Sequence, residues 1–231
     1  MTDTPSLIAA LAERAAPVRR LRPPLLRAAL WLAAVAALGA LAVLLYSDLS
    51  VFAARAANPK LALELAGTLL TGMAATVAAF YLSLPDRSRA WALLPVPPLA
   101  LWIGSSGYSC YRHWLSFGAN GWVIGESAHC FAFIVGASLP LGASLFLILR
   151  RARPLQPVPV AAMGGLGGAG IGAFLLQFFH PFDVTFMDLG LHLTAVAMVV
   201  AASMVAGSAF PSELDKLDLL SKPSTNSGGE G

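Results

Sequence analysis

The side chains best suited to bind a soft metal or to react as thiols are few, and they occur in three short groups. The chain has four histidines and two cysteines. The groups, with their neighbouring acids, are Cys110 and His113; Glu126, His129 and Cys130; and His180, Asp183, Asp188 and His192. Imidazole and thiolate ligands suit zinc and copper, and two thiols in an oxidising compartment can form a disulfide. The pattern therefore indicates a metal or thiol site if the fold brings the groups together.

Simpler interpretations of these residues remain open. Histidine is amphipathic and common at membrane interfaces, and cysteine packs as a small apolar side chain inside helices. No C-x-x-C motif is present, so no zinc-finger spacing supports metal binding. Cys110 and Cys130 could also pair with each other as a disulfide. Metal binding, disulfide formation and plain packing thus stand as alternatives.

Six long apolar stretches must position these groups. Of 231 residues, 57% are hydrophobic and 12% are charged, which is outside the usual composition of soluble domains. A bilayer core needs roughly 20 apolar residues per helix. The predicted spans are Leu25–Tyr46, Leu61–Leu84, Trp91–Tyr108, Ala128–Leu149, Val158–Phe179 and Val184–Phe210. We predict an all-α fold, a polytopic membrane protein with a six-transmembrane-helix bundle.

The basic residues predict the orientation of the bundle. Twelve of the 15 Lys and Arg residues fall on one side of the spans, and only Arg55, Lys60 and Arg112 fall on the other. Because positive loops stay in the cytoplasm, both termini are predicted to be cytoplasmic, and the basic pI needs no nucleic-acid partner. The predicted division is a cytoplasmic segment (1–24), the bundle (25–210) and a cytoplasmic, largely disordered tail (211–231).

Two stretches complicate this division. Pro95, Pro97 and Pro98 crowd the first half of the third span, where prolines are tolerated when neighbouring groups or water satisfy the freed carbonyls. The alanine-rich residues Phe52–Ala57 resemble a signal-peptide cleavage site. The first span is too long for an ordinary signal peptide and five more follow it, so we predict that it is retained.

The first 24 residues predict a short amphipathic helix. Thr4 can cap it with Pro5 in its first turn, and Leu7, Ile8 and Leu11 then share one face. Arginines 19, 20 and 22 follow before the first span. One interpretation is a helix lying on anionic lipid, and the other is a docking helix for a cytoplasmic protein. The pattern alone favours neither.

The fifth span carries a glycine ridge. Gly164, Gly168 and Gly172 recur at four-residue spacing, which lets a neighbouring helix approach closely. No catalytic motif accompanies it, so we predict that the chain is not an enzyme. Ion-coupled transport has little support, because Glu64 and His192 are the nearest ionisable candidates inside the spans.

Several stretches together resemble a known family, the NrsF-type anti-sigma factors. At the N-terminus these are Leu7-Ile8-x-x-Leu11, residues 17–24, Arg27 and Trp31. Further along, they are residues 126–130, Ser138-x-Pro140 and residues 149–154, followed by the glycine-rich span. The resemblance implies a six-helix regulator in the inner membrane of a Gram-negative bacterium that holds an extracytoplasmic-function sigma factor.

The resemblance also implies roles for individual residues. The sigma-binding residues would be Leu7, Ile8, Leu11, Pro17, Val18 and Leu21, and Cys130 would belong to a signal-responsive cysteine pair. Where relatives carry the second cysteine, this chain has His180-Pro181. Cys110 could replace that cysteine, Cys130 and His180 could form a mixed ligand set beside His129, or thiol sensing could be lost. A Cys/His pair suits zinc or copper better than a disulfide switch.

The leading prediction is therefore a membrane anti-sigma factor that releases its sigma factor on an external redox or metal signal. Its predicted partners are the sigma factor and membrane lipid, with no direct nucleic-acid contact, and a homodimer is left open. No cofactor is predicted beyond a regulatory metal ion at the external Cys/His cluster. The alternatives are a small membrane carrier or metal-handling protein using that cluster, and a structural subunit whose interface is the glycine ridge.

Overall fold

Every regular element in the described part of the chain is helical. The computed structural model describes residues 3–14, 22–118, 124–152, 154–179 and 186–209. Its helices are α1 (Thr4–Arg14), α2 (Pro24–Tyr46), α3 (Leu49–Ala56), α4 (Pro59–Leu82), α5 (Val96–Phe117), α6 (Ile124–Leu149), α7 (Pro157–Phe179) and α8 (Phe186–Ser208). Short 3₁₀ turns cover Arg89–Leu93 and Arg150–Ala152. The predicted all-α class is confirmed for these residues, and the predicted tail, 211–231, lies outside them.

Local sequence explains where several helices begin. Pro24 and Pro59 stand in the first turns of α2 and α4, where the missing N–H costs nothing. The side chain of Asn58 accepts a hydrogen bond from the Lys60 backbone N–H at the start of α4. Asp48 caps α3 in the same way, through the N–H groups of Ser50 and Val51.

Helix α5 begins later than the sequence predicts. The third span was expected over Trp91–Tyr108, but the residues before Leu94 form a 3₁₀ turn and the helix runs over Val96–Phe117. The prolines are the reason. Pro95 is the N-cap, and Pro97 and Pro98 fall in the first turn, where proline needs no intrahelical donor. The prediction of this boundary was therefore wrong by five residues.

Five helices of the described chain are long and apolar enough to cross a membrane, namely α2, α4, α6, α7 and α8. Helix α5 spans 22 residues but is not among them. Its middle and end carry small or polar residues, including Gly104, Ser105, Ser106, Gly107 and Arg112, and these lower its hydropathy. The membrane character of five predicted spans agrees with the sequence, while the sixth span and the orientation stay predictions.

Helix α7 is the centre of the bundle. Nearly all of its residues from Val160 to Ala173 are buried, and it packs against α4, α6 and α8. The ridge predicted from Gly164, Gly168 and Gly172 lies toward α6. A Cβ added at Gly168 would lie 3.0 Å from the Ser138 carbonyl oxygen, and one at Gly172 would lie 2.6 Å from the Ser138 hydroxyl. At Gly164 the nearest atom would be a Leu145 methyl group at 3.6 Å, an ordinary contact.

A second glycine face of α7 lies against α4, and there the backbones themselves meet. A Cβ added at Gly170 would lie 2.7 Å from the backbone nitrogen of Gly72. One at Gly72 would in turn lie 2.9 Å from the backbone nitrogen of Ile171. Backbone atoms cannot yield as flexible side-chain ends can, so this crossing requires residues without a Cβ.

The close crossing predicts a large and position-specific effect of adding one methyl group. Gly170→Ala should lower the free energy of unfolding in mild detergent by about 1–3 kcal/mol, because the helices must move apart. Gly136→Ala is the matched control, since nothing lies within 4 Å of a Cβ at that position in α6. Thermal unfolding of both variants is the measurement. Equal stability of the two variants would contradict the close α4–α7 crossing.

Candidate functional site

The side chains of the N-terminal helix α1 that the structure describes are exposed. Ile8, predicted to bind the sigma factor, is 61% exposed. Leu7 and Leu11 lie on the helix, but their side chains are outside the described set, as are Pro17, Val18 and Leu21. Spacings of three and four residues place Leu7, Ile8 and Leu11 along one side of α1. An exposed isoleucine on a short helix is suited to dock in an apolar groove of a partner.

The chain enters the bundle through Arg27, near the start of α2. The Nη2 of Arg27 donates to the carbonyl oxygen of Ile148 at 3.5 Å, and its guanidinium lies 5.1 Å from the ring centre of Phe80. Ile148 is in the last turn of α6, whose carbonyls carry the negative end of the helix dipole. The cation therefore ties the beginning of α2 to the ends of α4 and α6.

Trp31, one turn after Arg27, completes this attachment. Its Nε1 donates to the hydroxyl of Ser144 at 3.1 Å. Ala28 and Trp31 are buried in an apolar cluster with Phe80 and residues of α6 and α7. We call Arg27, Trp31, Phe80, Ser144 and Ile148 the entry joint. Because the N-terminal segment leaves the bundle at residue 23, the entry joint lies directly between that segment and the bundle.

Buried polar residues form a second candidate site at the opposite ends of α4, α5 and α8. Glu64, Asp188 and His192 are between 5% and 8% exposed, and Cys110 is fully buried. The carboxyl groups of Glu64 and Asp188 both lie within electrostatic range of the Cys110 thiol. The fold therefore brings Cys110 together with acids from α4 and α8, a grouping that the sequence did not specify.

Cys130 occupies a different environment. It is 2% exposed and packs in an apolar cluster with Ile134 of α6, Leu176 of α7 and Ala195 of α8. His129, the neighbouring residue on α6, is exposed. Both cysteines are thiols in the structure. Cys110 thus lies beside carboxyl groups and Cys130 among apolar side chains, with α8 contributing to both surroundings.

The described residues do not form a preassembled metal site. Among them, no group of three or more His, Cys, Asp and Glu side chains is arranged to hold an ion. His180, the predicted partner of Cys130, lies outside the described residues, as does Asp183. The regulatory metal at the external cluster stays a prediction.

Sequence patterns alone did not reveal two features of these sites. Glu64 was visible only as an isolated acid in a span, and nothing in its spacing pointed to Cys110 or Asp188. The signal for the entry joint was present, since Arg27 and Trp31 are four residues apart on a helix and so share a face. Their partners on α4 and α6 are remote in sequence and follow only from the packing.

Comparison with known proteins identifies the family. No curated protein and no solved structure matches the chain. The family model described as negative regulator of sigma F, NrsF, matches residues 11–210. That match covers all the helices from α2 to α8 and agrees with the resemblance seen in the sequence. Members of the family are regulators of a sigma factor, and this chain belongs to the NrsF family of negative regulators of sigma F.

Proposed function

We propose that this protein is an inner-membrane anti-sigma factor that crosses the membrane six times, with both termini in the cytoplasm, and sequesters an extracytoplasmic-function sigma factor. The observation that carries the proposal is the family match. The exposed apolar side chain of Ile8, on a helix placed just before the bundle, supports it. The bias of Lys and Arg to one side supports the orientation.

The N-terminal segment would hold the sigma factor by helix docking. Ile8, Leu7 and Leu11 provide the apolar anchors at three- and four-residue spacing, the pattern read by hydrophobic grooves. Residues 17–24 then connect this helix to the entry joint. A sigma factor held there stays at the membrane, away from RNA polymerase.

The signal would act at the end of the bundle opposite the entry joint, at Cys130 together with Cys110 or His180. Helix α6 provides the physical connection, because it carries Cys130 near one end and Ile148 of the entry joint near the other. These residues are 18 positions apart, which corresponds to about 27 Å along a helix. Pro140 lies between them and interrupts the helical hydrogen bonds. A change in packing around Cys130 can thereby reach Arg27 and the segment beyond it.

Release requires two states of the bundle that differ in sigma affinity. A coupling free energy of about 3 kcal/mol would change that affinity by roughly 150-fold. Helix α8, which packs beside both thiols, and helix α6 are the elements whose positions the signal would bias.

Loss of the docking helix should free the sigma factor. Deletion of residues 2–22 should induce the sigma-dependent genes while the protein stays in the membrane.

Ile8→Asp should weaken sigma recovery in a detergent pull-down by about tenfold or more, because a charge replaces an apolar anchor. Ala9→Asp is the matched control, since Ala9 lies on the opposite side of α1. Sigma recovery that is unaffected by the deletion would favour the carrier or structural-subunit alternative.

Replacing Cys130 should separate sensing from binding. Cys130→Ser and Cys130→Ala should leave basal sigma retention intact but abolish induction of a sigma-dependent reporter by peroxide, diamide, zinc or copper salts. Two variants are compared because an effect seen only in Cys130→Ser would come from the buried serine hydroxyl and not from loss of the thiol. A wild-type response of both variants to all four agents would mean that Cys130 is only a packing residue.

The entry joint should transmit the response without binding the signal. Arg27→Gln keeps a donor but removes the cation from the end of α6, so we expect induction of the same reporter to fall about fivefold, which corresponds to about 1 kcal/mol of lost coupling. Arg89→Gln, at an exposed position of the 3₁₀ turn, is the control. Basal sigma retention, measured by pull-down, should stay at the wild-type level. Full induction in Arg27→Gln would exclude the joint from the pathway.

A further inference from the structure

A small pocket with charged and hydroxyl groups in a largely apolar lining lies where α2 ends and α3 begins. Its volume is about 200 Å³, and its lining includes the hydroxyl-bearing Tyr46 and Ser47, the anionic Asp48 and the cationic Arg55. Among the residues that the structure describes, the pocket therefore carries a carboxylate, a guanidinium and hydroxyl groups beside the last turn of an apolar helix. In the proposed topology, this is the depth at which lipid headgroups meet the protein surface.

Both charges are held in place. The Asp48 Oδ1 accepts hydrogen bonds from the Ser50 hydroxyl at 2.6 Å and from the Ser50 and Val51 backbone N–H groups. These bonds hold the pKa of the Asp48 carboxyl below its usual value, and the bond from the Ser50 hydroxyl has the largest effect. The carboxyl group is therefore ionised at neutral pH. Nη1 of Arg55 donates to the carbonyl oxygen of Gln177 in the last turn of α7 at 3.3 Å.

An apolar groove adjoins the pocket. It lies between α2 on one side and α4 and α7 on the other, and its volume is about 650 Å³. Phe178 lines both the groove and the pocket. Phe52 of α3 stacks on Phe178 with ring centres 4.4 Å apart, and Phe174 meets Phe178 edge-on at 5.4 Å. The two cavities are thus parts of one amphipathic site with an aromatic wall at their junction.

The dimensions of the groove decide what can occupy it. On α2 it extends from Leu32 to Leu44, about 18 Å along the helix axis. That length and the apolar lining suit a flexible hydrocarbon chain. The exposure of Ala36 and Ala40 on the groove side leaves the entrance open to lipid.

We propose that this site binds one glycerophospholipid whose zwitterionic headgroup bears an ammonium group. One acyl chain lies in the groove between α2 and α7, the phosphate lies at Arg55, and the ammonium lies at Asp48. The guanidinium and carboxylate of the pocket match the phosphate and ammonium of such a headgroup. Asp48 would repel an anionic headgroup that has no ammonium. The headgroup pocket is separate from the proposed sigma-binding segment, because it lies at the opposite end of α2 from the entry joint.

The test is native mass spectrometry of the full-length protein released from nanodiscs that contain equal amounts of phosphatidylethanolamine and phosphatidylglycerol. The wild-type protein should retain one phosphatidylethanolamine, preferred about tenfold because a charged hydrogen bond distinguishes the two lipids. Ala36→Phe should fill the groove and lose the bound lipid. Ala34→Phe, an exposed alanine on the far side of α2, should retain it.

Headgroup variants test the two charges separately. Asp48→Asn keeps a good helix cap but removes the negative charge, so the preference over phosphatidylglycerol should disappear while the chain still binds. Arg55→Gln should reduce retention of both lipids, whereas Arg112→Gln, an exposed arginine on α5, should not. Thermal unfolding verifies that each variant is folded.

Several results would overturn the proposal. They are a wild-type preference for phosphatidylglycerol, equal retention by Ala36→Phe and Ala34→Phe, a wild-type protein without lipid, or a dimer that Ala36→Phe dissociates. Sigma recovery by pull-down is measured on the same variants. A loss of lipid with sigma recovery unchanged separates this site from the proposed anti-sigma function.

Discussion

The bundle depends on the close contact of α7 with its neighbours. In a bilayer the lipid chains are as apolar as the helix surfaces, so burial of leucine gives little drive for association. Helix contacts must instead come from backbones that approach closely, and the α4–α7 crossing at Gly72 and Gly170 is such a contact. Gly168 provides a similar approach to α6. Because α7 is buried over most of its length, the positions of α4, α6 and α8 are fixed through it.

The same constraint explains why α2 differs from the inner helices. It has a single buried stripe through Ala28, Trp31, Val35, Gly39 and Val43, and most of its other side chains are exposed. One end is fastened by the polar contacts of the entry joint, whereas the other end borders the apolar groove. In the proposed topology, the polar contacts of α2 lie at the cytoplasmic side and the groove lies toward the outer side. That geometry suits an element that carries the docking segment.

The sequence predicted those parts of the structure that depend on local pattern. Hydrophobic length located five helices that are long and apolar enough to cross a membrane, and the spacing of glycines located the ridge on α7 but not the helix that packs on it. Sequence patterns did not predict contacts between residues that are far apart in the chain. The α4-facing glycines required knowledge of which helix crosses α7, and the grouping of Glu64, Cys110 and Asp188 required three helices to be placed. Helix α3 was missed because its alanine-rich stretch resembles a cleavage site, although Asp48 is a strong N-cap signal.

The two thiols differ in how strongly a chemical change would disturb the bundle. The apolar cluster that contains Cys130 includes Ile134, Leu176 and Ala195, whose side chains carry no polar group. Oxidation or metal ligation there would place a polar or charged group among apolar side chains, at a cost of roughly 1–3 kcal/mol or more. That cost is comparable with the coupling energy that the proposed release requires. The carboxyl groups of Glu64 and Asp188 lie within electrostatic range of Cys110, so a cation bound there would be favoured and an anionic oxidation product disfavoured. In the proposed mechanism, Cys130 is therefore the thiol whose modification would disturb helix packing, and Cys110 is the one at which a bound cation would be favoured.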